Sequence, residues 1–392
     1  MTGFIDLERM ERTRATIHRA GLDGILCTMP ENLLMLTGYW SRIGLSLVWF
    51  PAQGDPALLV PETELDVAET GSVRDIRGYA GDLDAARPRA EMSSFVSDKL
   101  RTIKGKIGYE ASFAQIAPPP LAGEPHVIDK GYVDMLASHV GQERLQDATD
   151  LIYELRSRKT SYEAEQVRRA NQIAGVGLKV FKEMVAPGRS EIEIATRVEQ
   201  AIAIAGMQDY SARSVRAWAQ ISSGPATAKA WRLYVQTGVR RLEPGDLVIL
   251  ELGTVVDGYW SDLTRVAVAG QPTQQQLDIW HIVEEAQSAA ISAIHPGVAE
   301  RSVDAAARGL IAARGYGDAF VHVTGHGVGF RYHELPPLLS STSDGLLAEG
   351  MITSVEPGIY LSNWGGIRLE DNVLVTDSGA ERLSTASLSL TS

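Results

Sequence analysis

Between Val248 and Arg265 the chain runs Val-Ile-Leu-Glu-Leu-Gly-Thr-Val-Val-Asp-Gly-Tyr-Trp-Ser-Asp-Leu-Thr-Arg, two β-rich stretches split by Asp257-Gly258. An Asp-Gly pair in that setting is a strong short-range hairpin signal, because both central residues of a type I′ turn need positive φ. With those two residues at the turn, Glu251 faces Thr264 and Gly253 faces Asp262. Side chains alternate with period two, so Glu251, Asp262 and Thr264 share one face of the ribbon. Glu251 and Asp262 then become diagonal neighbours, roughly 7–8 Å apart at Cα and closer at their tips. Two carboxylates converging on one face repel unless a positive charge lies between them, and a metal ion is the natural candidate. The alternative, from the hairpin alone, is a pair of solvated acids on an exposed sheet.

A chain of 392 residues exceeds one ordinary core and suggests two domains. Its apolar share of 44% and charged share of 22% fit a soluble globular protein. A net charge of −12 argues against a nucleic-acid partner, whose footprint is usually basic. The single cysteine, Cys27, excludes a disulfide framework and a thiolate zinc site, and its apolar neighbours mark it as a small core residue. The start, Met1 to Arg9, is charged and lacks a signal-peptide core. No run approaches the roughly 18 apolar residues of a membrane helix. The expectation is a cytoplasmic protein with no membrane partner.

The first domain, 1–154, reads as a small α/β unit. A helix is expected over 6–22, with Leu7, Met10, Thr13, Ile17 and Ala20 on its buried stripe. Strands are expected at Asp23–Thr28, Leu45–Phe50, Ala57–Val60, Lys106–Tyr109 and Glu124–Ile128, with a helix near Glu31–Leu36. No ligand-like cluster of His, Asp or Glu occurs there, so the unit is assigned no chemistry. The second domain, 155–392, opens on a helical pattern from about Ser161 to Val185 and then repeats itself. Pro187-Gly188 and Pro296-Gly297 each precede a helix, and Gly206 and Gly315 each sit where a helix should stop. Ser190 with Glu193 forms a capping box at the first of these helices. The fold class is therefore α/β, with the second domain built as a duplicated pair of α/β halves about a pseudo-twofold axis.

Three segments downstream of the hairpin complete a constellation: Thr324-Gly-His326-Gly-Val-Gly-Phe330 followed by His333-Glu334-Leu-Pro336; Ser354-Val-Glu356-Pro-Gly358; and Gly366-Ile-Arg368-Leu-Glu370-Asp371. The glycines beside His326 are read as leaving its ring open to approach. Glu356 ends an apolar strand, and Glu370 lies in an alternating strand over Ile367–Val375. A set of carboxylates with one imidazole suits Mn²⁺, Co²⁺ or Zn²⁺, and carboxylates able to bridge suit a two-metal hydrolytic site.

These segments, together with Gly258 to Arg265, resemble in order and spacing the pita-bread metallohydrolases: Xaa-Pro dipeptidases (prolidases), aminopeptidase P, methionine aminopeptidases and the non-metallo creatinase. The resemblance covers the chain from about Lys159 to its end. The first half is similar to the creatinase/prolidase N-terminal domain, chiefly through Asn32-Leu-Leu-Met-Leu-Thr-Gly-Tyr39. It implies a pita-bread second domain, a homodimer and a divalent-metal centre of two ions, with Glu251, Asp262, His326, Glu356 and Glu370 on the ligand positions. It also implies Glu356 as the carboxylate that takes a proton from the attacking water, and His333 as the imidazole that steadies the tetrahedral intermediate. Two positions depart from the pattern. Glu251 stands where the family has aspartate, one methylene shorter, which leaves room for one ion or none. Trp231 stands where the peptidases have a histidine near the substrate; an indole stacks on rings and cations but transfers no proton. Arg265 and Arg368 flank ligands and are expected to hold carboxylates, and Arg368 has the alternative of a substrate carboxylate.

The leading expectation is a metal-dependent hydrolase resembling Xaa-Pro dipeptidase or aminopeptidase P, acting on a small peptide or small amide. The alternatives are a creatinase-like or ectoine-hydrolase-like enzyme opening a C–N bond with one metal or none, a metalloenzyme resembling dimethylsulfoniopropionate lyase, and a non-catalytic binding module. Asp262 favours retained metal, since creatinase lacks an acid there.

Overall fold

A computed structural model describes residues 6–42, 45–80, 86–112, 128, 130–232 and 236–390. The chain divides into two compact units, one ending at Arg156 and the other beginning at Ser157.

The first unit begins with helix α1 (Leu7–Arg19), capped by the Asp6 carboxylate on the Arg9 amide. Its buried face holds Arg9, Thr13, Thr16 and Ile17, while Leu7 is 65% exposed. Thr13 and Ile17 are buried as expected and Met10 is half-buried, but Leu7 and Ala20 at the ends of the expected stripe are exposed, and Arg9 joins the buried face with its guanidinium 2.7 Å from the Leu155 carbonyl. Six strands form one mixed sheet: β1 (Leu22–Cys27), β2 (Leu47–Pro51), β3 (Ala57–Pro61), β4 (Asp75–Tyr79), β5 (Lys106–Tyr109) and β6 (Leu145–Asp147), in the order β4-β3-β2-β1-β5-β6. The β1–β2–β3 pairs are antiparallel and the outer pairs parallel. Helix α2 (Pro30–Thr37) follows β1. The strand expected over 124–128 falls, Ile128 apart, outside the described residues.

The second unit opens with α3 (Ser161–Met184), started by a Thr160–Glu163 capping box, and α4 (Glu191–Gln208), started by the Ser190–Glu193 box. They pack on the three-stranded antiparallel sheet β7 (Val215–Ser223), β8 (Leu247–Val256) and β9 (Tyr259–Val268) around Ile173, Phe181, Val198, Leu250 and Leu263. Helices α5 (Gln274–Ser292) and α6 (Glu300–Ala313) share a second core with β12 (Ile352–Val355) and β15 (Asp371–Val375). Those strands belong to a five-stranded sheet completed by β10 (Gly325–Gly327), β11 (Glu334–Leu339) and β16 (Ala380–Arg382), in the order β11-β10-β12-β15-β16. A short ribbon, β13 (Gly358–Leu361) with β14 (Gly365–Arg368), stands apart. Each half thus sets two helices on a sheet. Gly188 and Gly297 adopt the same left-handed turn, φ 85° and 84°, before α4 and α6. Gly315 follows α6 at φ 86°, as a helix-stopping glycine should. Gly206 does not: it lies inside α4, where an added Cβ would meet Val215 at 2.5 Å. It is small for packing and stops nothing. Among the described residues, no helix is long and apolar enough to cross a membrane.

Candidate active site

The hairpin forms in the register its sequence predicts. Asp257 and Gly258 turn at φ 51° and 95°, Glu251 pairs with Thr264, and Gly253 with Asp262. Every residue of β9 is buried, Asp262 among them, and Glu251 on β8 is partly buried, so the acids on this face are largely withdrawn from water. Glu251 is held on both oxygens. Oε1 accepts the Tyr332 hydroxyl; Oε2 accepts from Arg368 Nη2 and lies 3.0 Å from Thr264 Oγ1.

The other half brings its chemistry to the same place. His326 is the centre of β10, between β11 and β12. Its flanking glycines allow strands to close up rather than keep the ring open: a Cβ at Gly325 would fall 1.9 Å from the Ser354 carbonyl oxygen, and one at Gly327 would fall 2.8 Å from that of Glu334. Glu356 leaves the end of β12, its amide bonded to the Thr324 carbonyl and its Oε1 to the Ser354 hydroxyl at 3.1 Å. Glu370 does not lie inside a continuous strand as expected. β14 pairs with β13 and β15 with β12, so the chain changes sheets at Leu369–Glu370. That break turns Glu370 inward, with Oε2 2.7 Å from Thr264 Oγ1.

The result is one buried cluster. His326 Nε2 lies 3.5 Å from Asp262 Oδ2 and 3.3 Å from Glu356 Oε1, and His333 Nε2 lies 3.7 Å from Asp262 Oδ2. Three overlapping sets have ligand atoms within 4.8 Å of one another: Asp262, His326 and His333; His326, Glu356 and Glu370; Glu251, Asp262 and Glu370.

Burial and mutual repulsion decide the protonation of this cluster. Burial, followed by the charges of Glu370, Glu251 and Glu356, drives Asp262 well above the carboxylate range. Burial, with Glu356 and Glu251, does the same to Glu370. Glu356 is pushed up to about 7, chiefly by burial, against the pull of Arg368. Glu251 goes the other way. Burial opposes its charge, but the Arg368 guanidinium and the Tyr332 hydroxyl outweigh it and hold the carboxyl at about 2. Burial, then neighbouring His333, lowers His326 to about 3. Its Nδ1 sits 3.0 Å from the Gly327 carbonyl, which places the proton there and leaves the Nε2 lone pair facing the acids.

This donor set fits divalent metal. Both Asp262 oxygens and Glu370 Oε1 are buried without a hydrogen-bond partner. Such atoms are costly to leave unpaired, and a cation would satisfy them while replacing the protons that repulsion otherwise imposes.

The two remaining sequence candidates lie differently. Arg368 is 5% exposed and spends its donors inside the protein: on Glu251, on Thr264 Oγ1 at 2.9 Å, on the Ala230 carbonyl at 2.9 Å and on Tyr360 Oη at 3.0 Å. Trp231 is 40% exposed, its ring faced by the Arg232 guanidinium at 5.4 Å, just before residues 233–235, which lie outside the described set. Sequence reasoning missed Tyr332 and His322. The His322 ring, lowered to about 3 mainly by burial, accepts the Tyr360 hydroxyl at 3.0 Å and so extends the chain of bonds from Arg368. Tyr332 lies in an irregular stretch before β11, where no periodicity points to its partner.

Two helix-backed sheets closing over carboxylates and imidazoles define a metallohydrolase. Residues 165–377 match metallopeptidase family M24, and residues 9–158 match the creatinase/prolidase N-terminal domain. The chain is similar to the Xaa-Pro dipeptidase of Pyrococcus horikoshii (34% identity, 96% of this chain and 97% of that one) and to that of Pyrococcus furiosus (30%, with the same coverage). Among solved structures it is similar to an Xaa-Pro dipeptidase from Bacillus anthracis, at a TM-score of 0.80 and 27% identity over 98% of this chain and 99% of that one. The chain belongs to metallopeptidase family M24. It is a divalent-metal hydrolase with the pita-bread fold, and it resembles Xaa-Pro dipeptidases over 96–98% of its length.

Proposed function

We propose that this hydrolase cleaves the amide bond before proline in small Xaa-Pro peptides. The observation that carries the reading is the overlap of three ligand sets, in which Asp262, His326 and Glu370 each belong to two, and which suits two adjacent ions better than one. Glu251, Asp262, His326, Glu356 and Glu370 would hold them, with Mn²⁺, Co²⁺ or Zn²⁺ matching an oxygen-rich set with one imidazole. Bound there, such ions would lower the pKa of a water and polarise the scissile carbonyl.

The chain's own residues supply the remaining steps. Glu356, steadied by Ser354, accepts the proton of the attacking water at a carboxylate oxygen and returns it to the leaving proline nitrogen. His333, its ring against that of His326 at 4.4 Å, offers an N–H to the oxyanion that develops on the carbonyl. Arg368 keeps Glu251 charged and in place. Trp231, exposed and cation-faced, is proposed as a stacking surface for substrate. Family resemblance extends the proposal to a homodimer working in the cytoplasm.

Hydrolysis of a panel of Xaa-Pro dipeptides, with and without Mn²⁺ and a chelator, tests this reading. Metal-dependent, chelator-sensitive cleavage is expected. Chelator-resistant hydrolysis of creatine-like amides, with no cleavage before proline, would overturn it in favour of the creatinase-like alternative.

A further inference from the structure

We propose that Tyr332 is a positioning residue for Glu251, fixing the glutamate carboxylate in the orientation in which it meets a cation shared with Asp262. The tyrosine is 1% exposed and walled in by aromatic rings: Trp260 at 5.6 Å, Trp218 at 6.2 Å and His333 at 4.4 Å between centroids. It lies directly on the hairpin, where Gly253 makes room for it; a Cβ there would approach the tyrosine ring to 2.9 Å. A ring packed this closely cannot swing aside, so its hydroxyl is a fixed donor, and that donor meets Glu251 Oε1.

A glutamate has one more rotatable bond than an aspartate and needs more restraint to point one way. Arg368 and Thr264 restrain Oε2, and the Tyr332 hydroxyl donates to Oε1. One lone pair of Oε1 then remains for a cation, in a set direction. Partners of this kind orient metal-binding side chains, and their loss typically lowers metal affinity by about 10–100-fold. The same ring touches His333, so a single side chain sets the relation between the carboxylate and the imidazole.

The inference rests on the metal reading proposed above. Its test is Mn²⁺ titration of the full-length protein by calorimetry, with bound metal counted after gel filtration. Tyr332→Phe keeps the ring and removes one hydroxyl. One Mn²⁺ equivalent should bind as in the unmodified chain, which also reports correct folding, and the other should weaken by about 10–100-fold. Glu251→Asp withdraws the carboxylate by about one C–C bond, roughly 1.5 Å, out of reach of the hydroxyl. Adding Tyr332→Phe to Glu251→Asp should therefore change nothing further. Undiminished binding of both equivalents by Tyr332→Phe overturns the proposal and leaves the metal reading standing. An equal loss in both backgrounds also overturns it, making Tyr332 a packing residue. No Mn²⁺ binding by the unmodified chain sinks the metal reading, and this inference with it.

Discussion

Removing Arg368 tests the electrostatic account of the site most sharply. Its guanidinium and the Glu251 carboxylate are 6% and 19% exposed at the side chain, so neither charge is well hydrated. Taking away one partner of a buried pair strands the other, typically at about 3–5 kcal/mol. The lowered Glu251 carboxyl agrees in direction, with Arg368 the largest of the groups that favour its charge. Arg368→Met keeps much of the apolar stem and removes the charge, so metal-free protein should lose about 3 kcal/mol in urea denaturation followed by tryptophan fluorescence. Glu251→Gln in the same chain should recover a large part, because the stranded charge is gone. The pH dependence has a definite sign. Glu251 titrates lower in the fold than unfolded, so its stabilisation is present above 4.5 and is lost as pH falls toward 2. The gap between Arg368→Met and the unmodified chain should narrow as pH falls from 4.5 toward 2. A loss under about 1 kcal/mol, or no recovery with Glu251→Gln, would refute the reasoning.

Two further outcomes follow from named contacts. Glu356→Gln keeps the side chain's size but cannot accept a proton, so turnover should fall by about 10²–10⁴-fold, measured at saturating Mn²⁺; near-unchanged turnover would remove Glu356 from its role. In the first unit, the Glu110 carboxylate accepts from the Thr28 amide and hydroxyl, from the Met29 amide at 2.8 Å and from Asn32 Nδ2 at 2.7 Å. Glu110→Gln replaces one acceptor oxygen with an NH₂ facing donors and should destabilise that unit by about 1–3 kcal/mol in denaturant; an unchanged midpoint would show that the network rearranges freely.

The sequence carried the hairpin to the individual residue, because an Asp-Gly turn fixes register and register fixes which side chains share a face. The helix starts at Thr160 and Ser190 are equally local, each written in a capping box. What escaped depended on distant partners. Nothing near Arg9 signals that it will lie inside against the Leu155 carbonyl while Leu7 stays in solvent. Gly206 is small because of Val215, a neighbour from the next strand, and so mimicked a helix stop. The alternation from Ile367 to Val375 looked continuous, since a change of sheet partner at Leu369–Glu370 leaves no mark on periodicity. The clustered acids were legible as motifs. The donors that restrain Glu251 were not, because Tyr332 and Arg368 reach it from 81 and 117 residues away.

The central claim is that burial of these acids and imidazoles serves divalent metal. Its most direct test is the metal content per chain of protein loaded with Mn²⁺ and freed of excess by gel filtration, measured by elemental analysis. The account predicts close to two equivalents, lost together with hydrolysis on chelation. A chain that retains no Mn²⁺ after loading would contradict it and mean that the cluster of Asp262, His326, Glu356 and Glu370 is satisfied by protons alone.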